Sequence, residues 1–232
     1  MATNTQIPTL HADGSIPAYV VRPEGTPRGA IIVYQEIFGV NPGIQAMTEE
    51  WASRGYLAVA PDVFWRQNPG VELDADVPQQ FQQGIDLMMQ HDFDVGIQDV
   101  EAVIHWVRRS EGVEKVGFVG FCMGGRVAYM TAARTDIDAS VGYYGVMIDQ
   151  MLGEQHAIAR PLMLHIPTAD GFVPPEAQQA IHAALNDHPK VTLHDYEGLD
   201  HGFAAQSGNR RVEQAAQLAD QRTIAFFAEH VG

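Results

Sequence analysis

Six apolar residues, Val116 to Phe121, run without a polar interruption into a cysteine bracketed by glycines, Gly120-Phe121-Cys122-Met123-Gly124-Gly125. Such a run predicts a strand buried on both faces. The small-residue segment 123–133 that follows predicts a helix. A strand that turns sharply into a helix strains its turn residue. Side chains two positions to either side would then collide with the neighbouring strand and helix. Gly-x-Cys-x-Gly is therefore the pattern of a nucleophile elbow, with sulfur in place of the usual serine oxygen. The turn lifts Cys122 above the sheet at a helix N-terminus, where partial positive charge favours a thiolate. The N–H of Met123 is left to bind a developing oxyanion.

The remaining chain alternates in the same way. Residues 7–10 and 16–21 predict two short antiparallel strands across the turn Ala12-Asp13-Gly14-Ser15, and residues 29–35 a long buried strand. Asn41 and Pro42 open a helix that stops at Arg54-Gly55. Further strands are expected at 56–60, 139–144, 161–166 and 191–196. Helices are expected around 79–90, through the stripe Ile97, Val100, Ile104 and Val107, from Pro174-Pro175 to about Asn186, and over 211–229. This order predicts an α/β fold, a mostly parallel sheet with helices on both faces. Residues 63–90 are the least regular part. They read equally as a lid-like excursion over the C-terminal edge of the sheet or as an ordinary surface connection.

At 232 residues the chain fits one domain, 1–232, and its 46% hydrophobic content suffices for a large core. The formal net charge of −15, with no basic run, makes nucleic acid and anionic membranes poor partners. A single cysteine leaves no intramolecular disulfide to form. The N-terminus carries no apolar signal core, and no run reaches the length of a membrane span. A cytoplasmic protein is the expectation; whether it is a monomer or a homo-oligomer stays open. No dinucleotide fingerprint, phosphate loop, His-Glu-x-x-His or Cys-x-x-Cys is present, so neither cofactor nor metal is expected.

In a parallel sheet, side chains just beyond the C-terminal strand ends converge in one crevice. Glu36 and Ile37, Cys122, Asp170 and His201 all fall there. Cys122, Asp170 and His201 stand in the nucleophile–acid–histidine order of hydrolases built on such sheets. A lone cysteine is usually a small buried hydrophobe, but the glycines and the strand–helix junction favour a nucleophile here. Asp170 is preferred as the acid over Asp200, because an immediate neighbour of His201 is badly placed to reach its ring.

Gln35-Glu-Ile-Phe-Gly-Val-Asn41, Gly120-Phe-Cys-Met-Gly-Gly125, Gly142-Tyr-Tyr-Gly145 and Asp200-His-Gly-Phe203 resemble the dienelactone hydrolase family across about residues 10–230. The resemblance implies a single α/β-hydrolase domain with a triad of Cys122, His201 and Asp170. It implies that Glu36 takes part in activating the thiol, and that the N–H groups of Ile37 and Met123 hold the oxyanion. Tyr143 matches a tyrosine that members place in the active site. Members that process dienelactone hold the substrate carboxylate with two arginines, and the matching positions here are Phe81 and Ala205. A further pocket tyrosine and tryptophan match Ile85 and Met88. An unpaired buried carboxylate is costly, so these replacements predict a less anionic ester or lactone as substrate, unless Arg126 or Arg210 supplies a displaced cation. The expected activity is hydrolysis of a small-molecule ester or lactone through an acyl-enzyme. The alternative is a ligand-binding relative with little turnover, Cys122 serving as a sensor thiol.

Overall fold

The computed structural model describes residues 3–232. Eight strands form one sheet in the order β1-β2-β4-β3-β5-β6-β7-β8. They are β1 (Thr5–Pro8), β2 (Ser15–Val21), β3 (Ala30–Tyr34), β4 (Leu57–Pro61), β5 (Val116–Phe121), β6 (Ala139–Tyr143), β7 (Leu162–Pro167) and β8 (Val191–Tyr196). β1 and β2 pair antiparallel with each other, and β2 pairs antiparallel with β4. From β4 through β8 every pairing is parallel. The central strands β3 to β7 are buried along their whole length, as parallel strands covered on both faces must be. β1 lies two residues earlier than expected, because Leu10 belongs to the turn and is exposed.

Six helices cover the sheet: α1 (Pro42–Ser53), α2 (Pro78–Gln90), α3 (Phe93–Ser110), α4 (Met123–Arg134), α5 (Pro175–Leu185) and α6 (Glu213–His230). Ile44, Met47 and Trp51 of α1 pack with Ala216, Ala219 and Phe227 of α6 on one face. Val100, Val103 and Val107 of α3 pack with Val127 of α4 and Ile181 of α5 on the other. α1 begins as its sequence dictates: the Asn41 side chain accepts from the Ile44 N–H at 3.1 Å, and Gly55 takes φ +91° beyond the last turn. α6 starts at Glu213, two residues later than expected. Arg211 instead serves the preceding loop, where its Nη1 donates to the Ala204 carbonyl at 3.0 Å. A 3-10 stretch, Ile148–Ala157, follows β6 and had no clear sequence signal.

Residues 63–90 fold back over the C-terminal end of the sheet. The Leu73 N–H donates to the Phe38 carbonyl at 2.9 Å. α2 lies so close to the segment after β3 that a Cβ at Gly84 would come within 2.7 Å of the Ile37 carbonyl oxygen.

At the end of β5, Cys122 has φ 56° and ψ −112°, a conformation L-residues adopt only under constraint. The constraint is backbone crowding. A Cβ on Gly120 would lie 2.1 Å from the Gly124 carbonyl oxygen, and one on Gly124 would lie 2.8 Å from the carbonyl oxygens of Tyr34 and Gln35. Gly120→Ala is therefore expected to cost about 3 kcal/mol in urea unfolding, because only backbone can yield. Gly153, where an added Cβ meets no atom within 4 Å, is the control, and its alanine variant should stay within about 0.5 kcal/mol of wild type. Equal effects at both positions would show that the elbow is not crowded.

Candidate active site

β3 lies between β4 and β5, so the strand order reverses there and opens a crevice at the C-terminal ends. The register Tyr34↔Gly120 sets Glu36, two residues past Tyr34, next to Cys122. On the other side Phe121 pairs with Tyr143, so Cys122 stands level with Tyr144. The Cys122 N–H donates to the Tyr143 carbonyl at 3.0 Å, and the Cys122 carbonyl accepts from the Gly125 N–H at 2.9 Å. These bonds pin the backbone while the side chain, half-buried, faces a cavity of about 190 Å³.

His201 lines the same cavity and comes from the loop after β8. Its Nδ1 lies 2.9 Å from Asp170 Oδ2 and 3.2 Å from Oδ1. Asp170 and His201 are both 6% exposed, so water competes little for that contact. Asp200 does not reach the ring. Its Oδ1 accepts from the backbone N–H groups of Gly171 at 2.8 Å and His201 at 2.7 Å, and so staples the two loops together.

Burial works against a charged His201, but attraction to a charged Cys122 and the bond to Asp170 outweigh it and push the imidazole up to about 10. Interaction of the ring with the Cys122 side chain, by hydrogen bond as well as by charge, contributes to that rise. Backbone N–H groups of Ile37 and Met123 donate to no group among the described residues. Ile37 lines the cavity, and Met123 opens α4.

Glu36 also lines the cavity. Burial raises its pKa above the ordinary value, opposed by His201, the Tyr144 hydroxyl and Arg210. Tyr144 is 1% exposed, and its hydroxyl forms no hydrogen bond of proper geometry despite that proximity to Glu36.

Phe81, Ile85, Met88 and Ala205 all line the cavity. Tyr143 does not. As a strand residue opposite Phe121 it points to the α6 face, where its hydroxyl donates to Asp220 Oδ1 at 3.1 Å and meets Thr223 Oγ1 at 2.6 Å. The tyrosine beside the cysteine is Tyr144, the next residue. Arg126 is also turned away: its Nε lies 3.3 Å from Met151 Sδ, and its guanidinium covers Phe93. Arg210 does reach the cavity. Phe38, Val146, Met147 and Phe172 line it too, and only the register of β6 and the Asp170 turn could have pointed to the last three. Among the described residues, no three His, Cys, Asp or Glu side chains gather as a metal-holding group, and no helix is long and apolar enough to cross a membrane.

A cysteine held at positive φ on a glycine-framed strand-to-helix turn, at the reversal point of a mostly parallel eight-stranded sheet and with a carboxylate-bound histidine in the same crevice, defines an α/β-hydrolase. The model of the dienelactone hydrolase family matches residues 16–231, and the chain belongs to that family. The carboxymethylenebutenolidase of Pseudomonas putida is 37% identical over 214 residues, which cover 91% of this chain and 90% of that protein. A protein of Azospirillum brasilense assigned as a carboxymethylenebutenolidase is 40% identical over 221 residues, 95% and 96% of the two chains. The crystal structure of a Klebsiella pneumoniae protein assigned as a dienelactone hydrolase has a TM-score of 0.84 at 27% identity, covering 98% of this chain and all of that one. The chain is thus a hydrolase, which sets aside the ligand-capture reading.

The raised pKa of Glu36 has a consequence for stability. The native state holds this proton more tightly than the unfolded chain. The group therefore favours folding most below its ordinary 4.5, and that benefit is lost as pH rises through the raised native value. Glu36→Gln removes the penalty. Its urea midpoint should exceed wild type near pH 7, and the difference should vanish near pH 4. A variant less stable than wild type near pH 7 would mean the carboxylate is well paired.

Proposed function

We propose that the protein hydrolyses short carboxylic esters or lactones through a Cys122–His201–Asp170 triad and an acyl-enzyme, without a cofactor. The observation that carries this reading is the His201–Asp170 contact of 2.9 Å in the cavity that Cys122 faces. With Asp170 holding Nδ1–H, the ring turns Nε2 towards the thiol and the bound carbonyl. Cys122 attacks the carbonyl carbon, and the oxyanion sits on the N–H groups of Ile37 and Met123. The tetrahedral adduct collapses, the carbon–oxygen bond to the leaving group breaks, and His201 delivers a proton to that oxygen. Water, deprotonated by His201, then releases the acid and returns the thiol. Glu36, close enough to feel His201, is positioned to accept the thiol proton before attack and to return it to the sulfur as the acid leaves, while His201, already protonated, supplies the proton for the leaving oxygen.

The preferred substrate carries no free carboxylate. Two carboxyl side chains, Glu36 and Asp76, line the cavity with a single arginine, Arg210. Ile37, Phe38, Ile85, Met88, Val146 and Met147 supply apolar wall, against which an unpaired carboxylate would be costly. All of this fits one catalytic domain in which residues 63–90 roof the site.

Cys122→Ala is the direct test. Turnover of phenyl acetate should fall by at least ~10³-fold, with the melting temperature within about 2 °C of wild type. Retained turnover in a folded variant excludes Cys122 as the nucleophile.

A further inference from the structure

Phe172 is a large apolar side chain left 46% exposed, and it is tied to the acid–histidine pair on two sides. Its N–H donates to Asp170 Oδ1 at 2.8 Å. Its ring meets the His201 ring edge to face, with centroids 4.8 Å apart and planes at 70°. On its other side lies Phe81 of α2, with ring centroids 6.5 Å apart and planes 29° from parallel. Phe81 in turn rests on Phe38, 5.8 Å away. Over both rings sits the Arg210 guanidinium, its Cζ 5.9 Å from the Phe81 centroid and 5.7 Å from that of Phe172. Arg210 makes no ion pair or hydrogen bond among the described residues; it borders two aromatic faces and the cavity, and is near enough to attract Glu36 and Asp200 without contact. Three separate stretches of chain thus meet at the cavity wall: α2, the turn after β7 and the loop leading to α6.

We infer that Phe172, Phe81 and Arg210 form a clamp for the leaving group, and that they select esters of planar, phenol-type alcohols over esters of alkyl alcohols. The inference rests on the triad reading above and goes on to name the substrate class. When the tetrahedral adduct collapses, the electron pair of the breaking carbon–oxygen bond moves onto the leaving oxygen, and His201 supplies the proton. That oxygen must therefore lie against the His201 ring, and the group attached to it lies against Phe172. A flat aromatic ring there gains face and edge contacts that an alkyl group cannot make. As the bond breaks, negative charge spreads from oxygen into the ring, where a planar guanidinium stacked on the same wall stabilises it. That charge is absent from the ground-state ester, so its stabilisation raises the rate of acylation. Size agrees: an apolar cavity of about 150 Å³ accepts one benzene ring, and about 190 Å³ is available here. One ring and a short acyl group fill it.

The test compares phenyl acetate with a fluoroalkyl acetate whose alcohol has the same acidity, so that intrinsic leaving ability cancels. The readout is the ratio of the two kcat/KM values, which a general structural loss would not move. The wild-type ratio should favour the phenyl ester by about tenfold. It should drop about fivefold in Phe172→Leu and about threefold in Arg210→Gln, and Phe172→Tyr should restore it. A wild-type ratio near one, or a ratio unmoved by both Phe172→Leu and Arg210→Gln, overturns the clamp. Failure of the triad reading is distinguishable: turnover of both esters would then survive in Cys122→Ala, whatever the ratio.

Discussion

Everything in the site depends on a crowded crossing of backbone at Cys122. β5 has to end, turn and become α4 while lying against β3 on one side and β6 on the other. At Gly120, Gly124 and Gly125 there is no room for even one further carbon, since a Cβ at Gly125 would lie 2.6 Å from the Tyr143 carbonyl oxygen. That crowding holds Cys122 at positive φ and presents its side chain to the cavity rather than to the core. Strand register then fixes its neighbours. Gly120 pairs with Tyr34 and Phe121 with Tyr143, and therefore Glu36 and Tyr144 flank the thiol.

Two carboxyl groups near Cys122 and His201, Asp170 and Glu36, are held in opposite ways. Asp170 is buried but paired with His201, an arrangement in which each partner lessens the cost of burying the other. At Glu36 the attraction of His201, Tyr144 and Arg210 falls short of the cost of burial, so its pKa is raised. The same pocket thus pairs one carboxyl group with an imidazole and raises the proton affinity of the other. The formal charge of −15 and the local attraction of Cys122 and Asp170 act in the same sense at His201, and together they favour a protonated imidazole against the cost of burial.

Much of this was legible in the sequence wherever a local steric rule applied. The elbow, the cap at Asn41, the glycine stop at Gly55 and the buried run of β5 each follow from a few adjacent residues. The pairing of His201 with Asp170 rather than Asp200 followed from reach, and Asp200 turned out to bond the backbone at the base of both loops. Tertiary facts were not legible. Tyr143 and Tyr144 are adjacent and chemically identical, and only the pairing of Phe121 with Tyr143 decides which one faces α6 and which faces the thiol. Phe172 lies two residues past Asp170 with no pattern to mark it, and its place on the cavity wall depends on the distant Phe81 and Arg210. Arg126, one turn into α4 from the cysteine, was a plausible cation for the pocket until its guanidinium proved to rest on Phe93 and two methionine sulfurs.

The proposed hydrolysis requires a covalent acyl group on the sulfur of Cys122. Acid quenching during the first turnover of phenyl acetate, followed by peptide mass spectrometry, tests it most directly. Acetyl is expected on the peptide containing Cys122, accumulating when His201→Gln slows its release. Rapid turnover with no acetylated Cys122, or acetyl found on another side chain, would contradict it.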